Sequence, residues 1–208
     1  IGDFVNIGFK KVGHPHSYTC ILKETSKGKD TLTGHWEMMG INTTKPFQTF
    51  TDTGFPQSLV DELSQKTGYK FIGNYASSGT KIIEKLGEEH MRDKSLILYT
   101  SSDSVLQIAA HEEVIPVKEL YRVCEIAREV CMKPEYFVGR IIARPFIGKD
   151  KHSFKRITAD RHDIAVSPSN LTVLDILKEH KILTLGIGKI GDIFNQQGIS
   201  KSIKSKNN

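Results

Sequence analysis

The sequence predicts an α/β protein. Two observations carry that expectation. Between residues 58 and 113, short apolar runs of strand length alternate with longer stretches of helical spacing. Two polar, proline-marked breaks, Asn42-Thr43-Thr44-Lys45-Pro46 and Pro168-Ser169-Asn170, divide the chain into an outer unit and an inner one. At 208 residues with 38% hydrophobic content, the chain can form one large packed domain or two small ones.

In chain order, residues 1–27 give only weak strand signals, near Phe4–Phe9 and Tyr18–Leu22. His14-Pro15-His16 fits a surface turn better than a metal site. The next stretch, Lys29-Asp30-Thr31-Leu32-Thr33-Gly34-His35-Trp36-Glu37, has two readings. Asp30 can N-cap a helix with Thr31 and Thr33 in its first turn. Alternatively, an acid beside a threonine and a lysine suits phosphoryl chemistry, where a weak hydroxyl nucleophile needs charge balanced at short range. The residues alone leave both open.

The inner unit begins with Ser58 and Asp61, spaced like a capping box, ahead of a helix over Leu59–Lys66 that Gly68 stops. A strand over Lys70–Gly73 leads through Ser77-Ser78-Gly79 into a helix over Lys81–Met91. A strand over Leu96–Thr100 leads through Ser101-Ser102-Asp103-Ser104 into a second helix running through Glu113, with Ser104 and Gln107 as its capping box. A serine-rich loop opening a helix aims backbone N–H groups and a positive helix end at one place, which suits an anion; ordinary N-capping by serine is the simpler account of either loop alone.

Leu120, Val123, Cys124, Ala127 and Cys131 then mark an amphipathic core helix over Val117–Val130. The segment Tyr136–Phe146 is expected to be a strand with Arg140, Ile142 and Arg144 on one face and Ile141 and Ala143 on the other. Two arginines flanking an isoleucine can grip an anion by forked hydrogen bonds, or can lie at a sheet edge paired with carboxylates. Arg161-His162-Asp163 can be a base with its orienting carboxylate, or a salt-bridged turn. Thr172 is placed to start a helix over Val173–His180, followed by a strand over Ile182–Gly186. Gly186-Ile187-Gly188 is followed by no acid of a dinucleotide fingerprint, so NAD is rejected.

Net charge is +5, with a pI near 9.0, which fits an anionic ligand. Basic residues cluster only at Lys201–Lys206, expected to be a solvated end. No stripe of basic residues interleaved with aromatics argues for nucleic acid, and no apolar run reaches membrane-spanning length. Cys20, Cys124 and Cys131 form no C-x-x-C pair, which argues against zinc ribbons and thioredoxin motifs and for a reducing cytoplasm. The first residue is Ile, which reads as a processed chain or a fragment.

Several long strings in order, among them Gly28-Lys29-Asp30-Thr31-Leu32-Thr33-Gly34-His35-Trp36-Glu37, Tyr99-Thr100-Ser101-Ser102-Asp103-Ser104-Val105-Leu106-Gln107, Val138-Gly139-Arg140, Ala143-Arg144-Pro145-Phe146 and Arg161-His162-Asp163, resemble the phosphopentomutases of the alkaline phosphatase superfamily. The resemblance implies alkaline-phosphatase-like core pieces at 1–45 and 169–208 and an inserted α+β, two-layer cap at 46–168. It makes Thr31, the first threonine after the aspartate, the residue that carries the transferred phosphoryl group. It implies substrate contacts by Ser101, Asp103, Val105, Arg140 and Ile142 in the cap. The implied reaction interconverts ribose 1-phosphate and ribose 5-phosphate, or the deoxyribose pair, through phospho-Thr31 and a bisphosphate, with two Mn²⁺ ions.

The family's metal ligands sit in an N-terminal Asp-Ser-x-Gly strand and in C-terminal Asp and His residues that this sequence does not show; Asp52-Thr53-Gly54 is misplaced for the first. The expectation is therefore a fragment that holds no metal ligands of its own and is inactive alone. Tyr75-Ala76-Ser77 and Ser102 depart from the family's usual Lys-Pro-Ala and Ala, which bears on fine substrate preference. A different phosphomutase or phosphatase of the superfamily, and a non-catalytic phosphosugar-binding module, are the alternatives.

Overall fold

A computed structural model describes residues 20–28 and 30–205. The signals at 4–9, the turn at 14–16, Lys29 and the tail beyond 205 lie outside the described residues, and residues 20–22 are irregular. The centre of the molecule is a six-stranded mixed sheet made of β1 (Phe71–Ala76), β2 (Leu96–Thr100), β3 (Val105–His111), β4 (Arg140–Ile147), β5 (Lys155–Arg156) and β6 (His162–Ala165). The order is β1-β2-β3-β4, with β5 and β6 both antiparallel to β4. β1–β2 and β3–β4 are parallel, and β2–β3 is an antiparallel hairpin.

Residues 104–113 are therefore not the helix expected from Ser104 and Gln107. Seven consecutive residues, Val105–His111, are buried, which a strand covered on both faces accommodates and a one-sided amphipathic helix does not. The capping-box side chains have other partners. Ser104 Oγ donates to the Gln48 carbonyl and accepts from the Gly139 N–H (3.1 Å), and Gln107 Oε1 accepts from Arg144 Nε (3.1 Å). Only the 77–79 loop opens a helix.

Helices flank the sheet on both sides, so the expected two-layer arrangement gives way to three layers over its centre. On one face, α2 (Gln57–Thr67) and α4 (Val117–Val130) bury Leu98, Leu106, Ile108, Ile141 and Ala143. On the other, α3 (Gly79–Asp93) covers Ile97, Tyr99, Ala109 and Phe146 with Ile82 and Ile83. β2 is wholly buried because both of its faces are covered. No Ser58–Asp61 box forms: α2 starts after Pro56 without a side-chain cap, and Ser58 Oγ hydrogen-bonds Tyr136 Oη (2.7 Å). Gly68 ends α2 in the left-handed conformation (φ 78°), its N–H on the Ser64 carbonyl. Residues 134–136 form a 3-10 turn, so β4 starts only at Arg140. Cys124 and Cys131 are buried free thiols; burial pushes both up, Cys131 to about 12, and leaves them unreactive.

A third cluster sits at one end of the sheet. There α1 (Thr31–Met38) packs Leu32 and Trp36 on Phe47, Ala165, Val166 and Ile193 of α6 (Ile190–Ile193), and Trp36 Nε1 donates to the Ile193 carbonyl (3.1 Å). A Cβ at Gly139 would lie 3.2 Å from Leu32 Cδ1, so the start of β4 touches α1 closely. The chain passes between this cluster and the sheet at two adjoining points. The Gln48 N–H bonds the Phe137 carbonyl (2.9 Å) and the Val166 N–H bonds the Gly139 carbonyl (3.1 Å). Beyond Val166, α5 (Val173–Glu179) starts at Thr172 with a true capping box through Asp175. β7 (Leu185–Ile187), shorter than expected, pairs in parallel with β8 (Lys201–Ile203). Among the described residues no helix is long and apolar enough to cross a membrane.

Two imidazoles lock α3 to the far end of the sheet. His90 is fully buried; its Nε2 accepts from the His111 N–H (2.8 Å), so Nδ1 carries the proton and donates to the Ser95 carbonyl. Burial holds the His90 pKa below the ordinary imidazole value. The unfolded chain then binds a proton near pH 6.5 that the folded one resists, so stability is full above that pH and is expected to fall as pH drops through it, by up to about 1.4 kcal/mol per pH unit. Urea midpoints between pH 7.5 and 5.5 test this, and a flat profile would refute a neutral His90.

Candidate active site

The site is built on the first turn of α1. Asp30 is its N-cap: Oδ1 accepts from the N–H groups of Leu32 (2.9 Å) and Thr33 (3.0 Å), and Oδ2 from Thr33 Oγ1 (2.8 Å). The two threonines are thus separated in role. Thr33 is fully buried and its hydroxyl is committed to Asp30. Thr31 is exposed at the positive end of the helix, and among the described residues its Oγ1 has only a long contact with His35 Nδ1 (3.4 Å). His35 Nδ1 lies closer to the Thr31 carbonyl (2.7 Å). Behind the turn, Glu37 accepts from the N–H groups of Thr25 (2.8 Å) and Ser26 (2.7 Å). Hydrogen bonds from the Ser26 side chain and from these N–H groups pull its pKa down to about 2, so the carboxylate that ties residues 25–26 to α1 stays charged.

Thr31 opens onto a cleft of about 740 Å³ that runs between α1, β6 and α6. Arg140, Arg161, Lys189 and Lys204 lie along it with Asp163 and Asp192, so cations outnumber carboxylates. Arg140 also faces a smaller recess of about 210 Å³ beside the head of α3. That recess brings together Ser101, Asp103, Val105, Arg140 and Ile142, all five substrate contacts implied by the resemblance. The uneven cover of the sheet creates it. Arg140, Ile142, Arg144 and Phe146 share one face of β4, and α3 covers the Phe146 end but not the arginine end.

The arginines differ in how far their charge is neutralised. Arg161 makes a forked ion pair with Asp163 (2.7 and 2.5 Å). Arg140 stands 3.5 Å from both Asp103 and Asp163, so it is loosely held between two carboxylates. Both readings of the arginine strand therefore meet in Arg140, which has carboxylate neighbours and yet lines the recess. Arg144 is held by the neutral amide of Gln107; burial, and then the positive charges of Arg161 and Arg156, lower its pKa. The triplet 161–163 is the salt-bridged alternative: the His162 ring sits 5.1 Å from that of Tyr121, and Asp163 is occupied by Arg161.

The Mn²⁺ pair implied by the resemblance does not fit the described residues. Among them no group of three or more His, Cys, Asp or Glu is placed to hold a metal ion, and both oxygens of Asp30, the carboxylate next to Thr31, are engaged in capping. Arg144, Arg161 and Lys189 were not among the implied contacts. The period-two pattern of β4 was the available signal for Arg144; Arg161 and Lys189 reach the cleft only through long-range packing.

No family model matches the sequence. Curated relatives do. A Clostridium botulinum (strain Alaska E43) phosphopentomutase is 54% identical over 197 residues, covering 95% of this chain and 50% of that protein. The chain is related to the phosphopentomutases along nearly its whole length. A Clostridium perfringens (strain 13) phosphopentomutase is 54% identical over 195 residues, 94% of this chain, and a Clostridium tetani one is 53% identical over 197 residues. The chain spans about half the length of the phosphopentomutases it matches.

Proposed function

We propose that this chain is the part of a phosphopentomutase that carries the phosphoryl-bearing threonine and grips the sugar phosphate. The observation that carries the reading is that the exposed Thr31 hydroxyl and Arg140 line one cleft, in a chain related throughout to phosphopentomutases. Phospho-Thr31 would give its phosphoryl group to a hydroxyl of ribose or deoxyribose monophosphate, breaking the P–Oγ bond and leaving a bisphosphate. The other phosphoryl group would then return to Oγ. Arg140, with Ser101 and Asp103, would hold the distal phosphate and sugar hydroxyls, and Val105 and Ile142 would pack against the ring.

In this reading residues 1–45 and 169–208 are core pieces and 46–168 the cap, a division supported by the paired crossing points at Gln48 and Val166; the apolar cluster around Leu32 and Trp36 is where the two parts meet, since Phe47, Phe137, Ala165 and Val166 pack into it. The two Mn²⁺ ions would then be held by residues beyond those described, and they would stabilise charge on the transferring group.

The test is a chimera in which this chain replaces the matching half of the C. tetani relative. It is expected to interconvert ribose 1- and 5-phosphate, and Arg140→Ala to lower kcat/KM about 10- to 100-fold through loss of a charge-assisted contact. Unchanged turnover in Arg140→Ala would sink the assignment of this recess. A chimera that binds ribose 5-phosphate but never turns it over would favour a binding module.

A further inference from the structure

Residues 137–139 lie where the chain crosses between the sheet and the cluster at its end, and each of their three carbonyls is taken by a different element. The Gln48 N–H holds that of Phe137 (2.9 Å), and the Val166 N–H holds that of Gly139 (3.1 Å). The carbonyl between them, on Val138, accepts from Arg128 Nη1 (2.8 Å). The side chains divide in the same way. Phe137 packs against the cluster around Leu32 and Trp36, and Val138 is buried in the core between the sheet, α2 and α4. Arg140 follows at once, its N–H on the Ser104 carbonyl (3.3 Å).

Arg128 lies in the last turn of α4. Its other terminal nitrogen, Nη2, donates to the Cys131 carbonyl (2.8 Å), one of those a helix end leaves free. One guanidinium thus ties the end of α4 to the chain two residues before Arg140. It does so at an energetic cost. Burial lowers the Arg128 pKa, its Nε is buried without a partner, and among the described residues no carboxylate pairs with it. Water or a glycine cap would satisfy the carbonyls of a helix end without a half-buried cation. What neither supplies is a planar fork that holds two separate carbonyls at once.

We propose that Arg128 is a positioning residue for Arg140: it pins Val138, and so sets where β4 begins and where the Arg140 guanidinium stands relative to Thr31. The inference rests on the function proposed above, because the position of Arg140 matters to turnover only if Arg140 grips the substrate. A misplacement of about 1 Å in such a group can cost about 100-fold in rate.

Two measurements test it. In the 208-residue chain, Arg128→Met is expected to speed amide hydrogen exchange of Gln48 and Val166 by at least about 10-fold, with Leu98 and Ile108 in the middle of the sheet unchanged. In the chimera described above, Arg128→Met is expected to lower kcat/KM by about 10-fold, chiefly through KM, and to have no further effect once Arg140→Ala is present. Arg128→Lys keeps the charge but not the fork, and is expected to stay impaired. Unchanged exchange at Gln48 and Val166, or equal acceleration of all four amides, would overturn the proposal. So would a loss of kcat/KM that adds in full to that of Arg140→Ala, or wild-type turnover in Arg128→Met or Arg128→Lys. Normal turnover in Arg140→Ala would instead defeat the reading of the recess, a failure the exchange rates do not share.

Discussion

In a complete enzyme carrying this chain, Thr31→Val is expected to lower mutase turnover by at least about 10³-fold and to abolish phosphoryl incorporation into the protein. Valine fills nearly the same volume and leaves the Asp30 cap untouched, since that cap uses the N–H groups of Leu32 and Thr33 and the hydroxyl of Thr33. Thr33→Val is expected to do the converse. It removes a buried hydrogen bond and costs about 1 kcal/mol of stability, with the Thr31 hydroxyl still in place. Intact-mass analysis after incubation with a sugar bisphosphate, together with turnover, distinguishes the two. A phosphoryl adduct surviving in Thr31→Val would show that the nucleophile lies elsewhere.

Phe146→Ala is expected to cost about 3–5 kcal/mol and to lower the melting temperature by roughly 10 °C. Phe146 is fully buried, with its ring centroid 5.5 Å from His90, 5.3 Å from His111 and 5.2 Å from Phe154. The two imidazoles cannot collapse into the space, because both are fixed by hydrogen bonds to backbone. The strand that Phe146 anchors also carries Arg140 and Arg144, so phosphate binding should weaken as the fold loosens. A loss below about 1 kcal/mol in urea titrations would show that the cluster repacks.

The sequence is legible where local chemistry and tertiary burial agree. The helix over Val117–Val130 and the strand over Leu96–Thr100 match to the residue, because a one-sided apolar stripe and a short apolar run each have one favourable fate. The strand at 105–111 is misread because Ser104 and Gln107 imitate a helix cap, and a short, mainly apolar run interrupted by Gln107 does not by itself distinguish a buried helix from a strand. Its antiparallel return from β2 across residues 101–104 is a turn signal that outranks the cap. The recess around Arg140 could be anticipated from the alternation in β4. The joining of that recess to Thr31 could not, because it depends on α1 and α6 meeting across 157 positions of sequence.

The crossing points at Gln48 and Val166 flank residues 137–139, so the stretch between them leaves and rejoins the rest of the molecule at one spot. A stretch with neighbouring ends is portable. It can be lifted out with a short bridge from 47 to 167, produced as a free-standing module, or grafted in place of its counterpart in a clostridial relative. Its sheet, α2, α3 and α4 would travel with it, and so would the arginine row, while Thr31 would stay behind. Under the function proposed above, the arginines and the threonine could then be exchanged independently of each other.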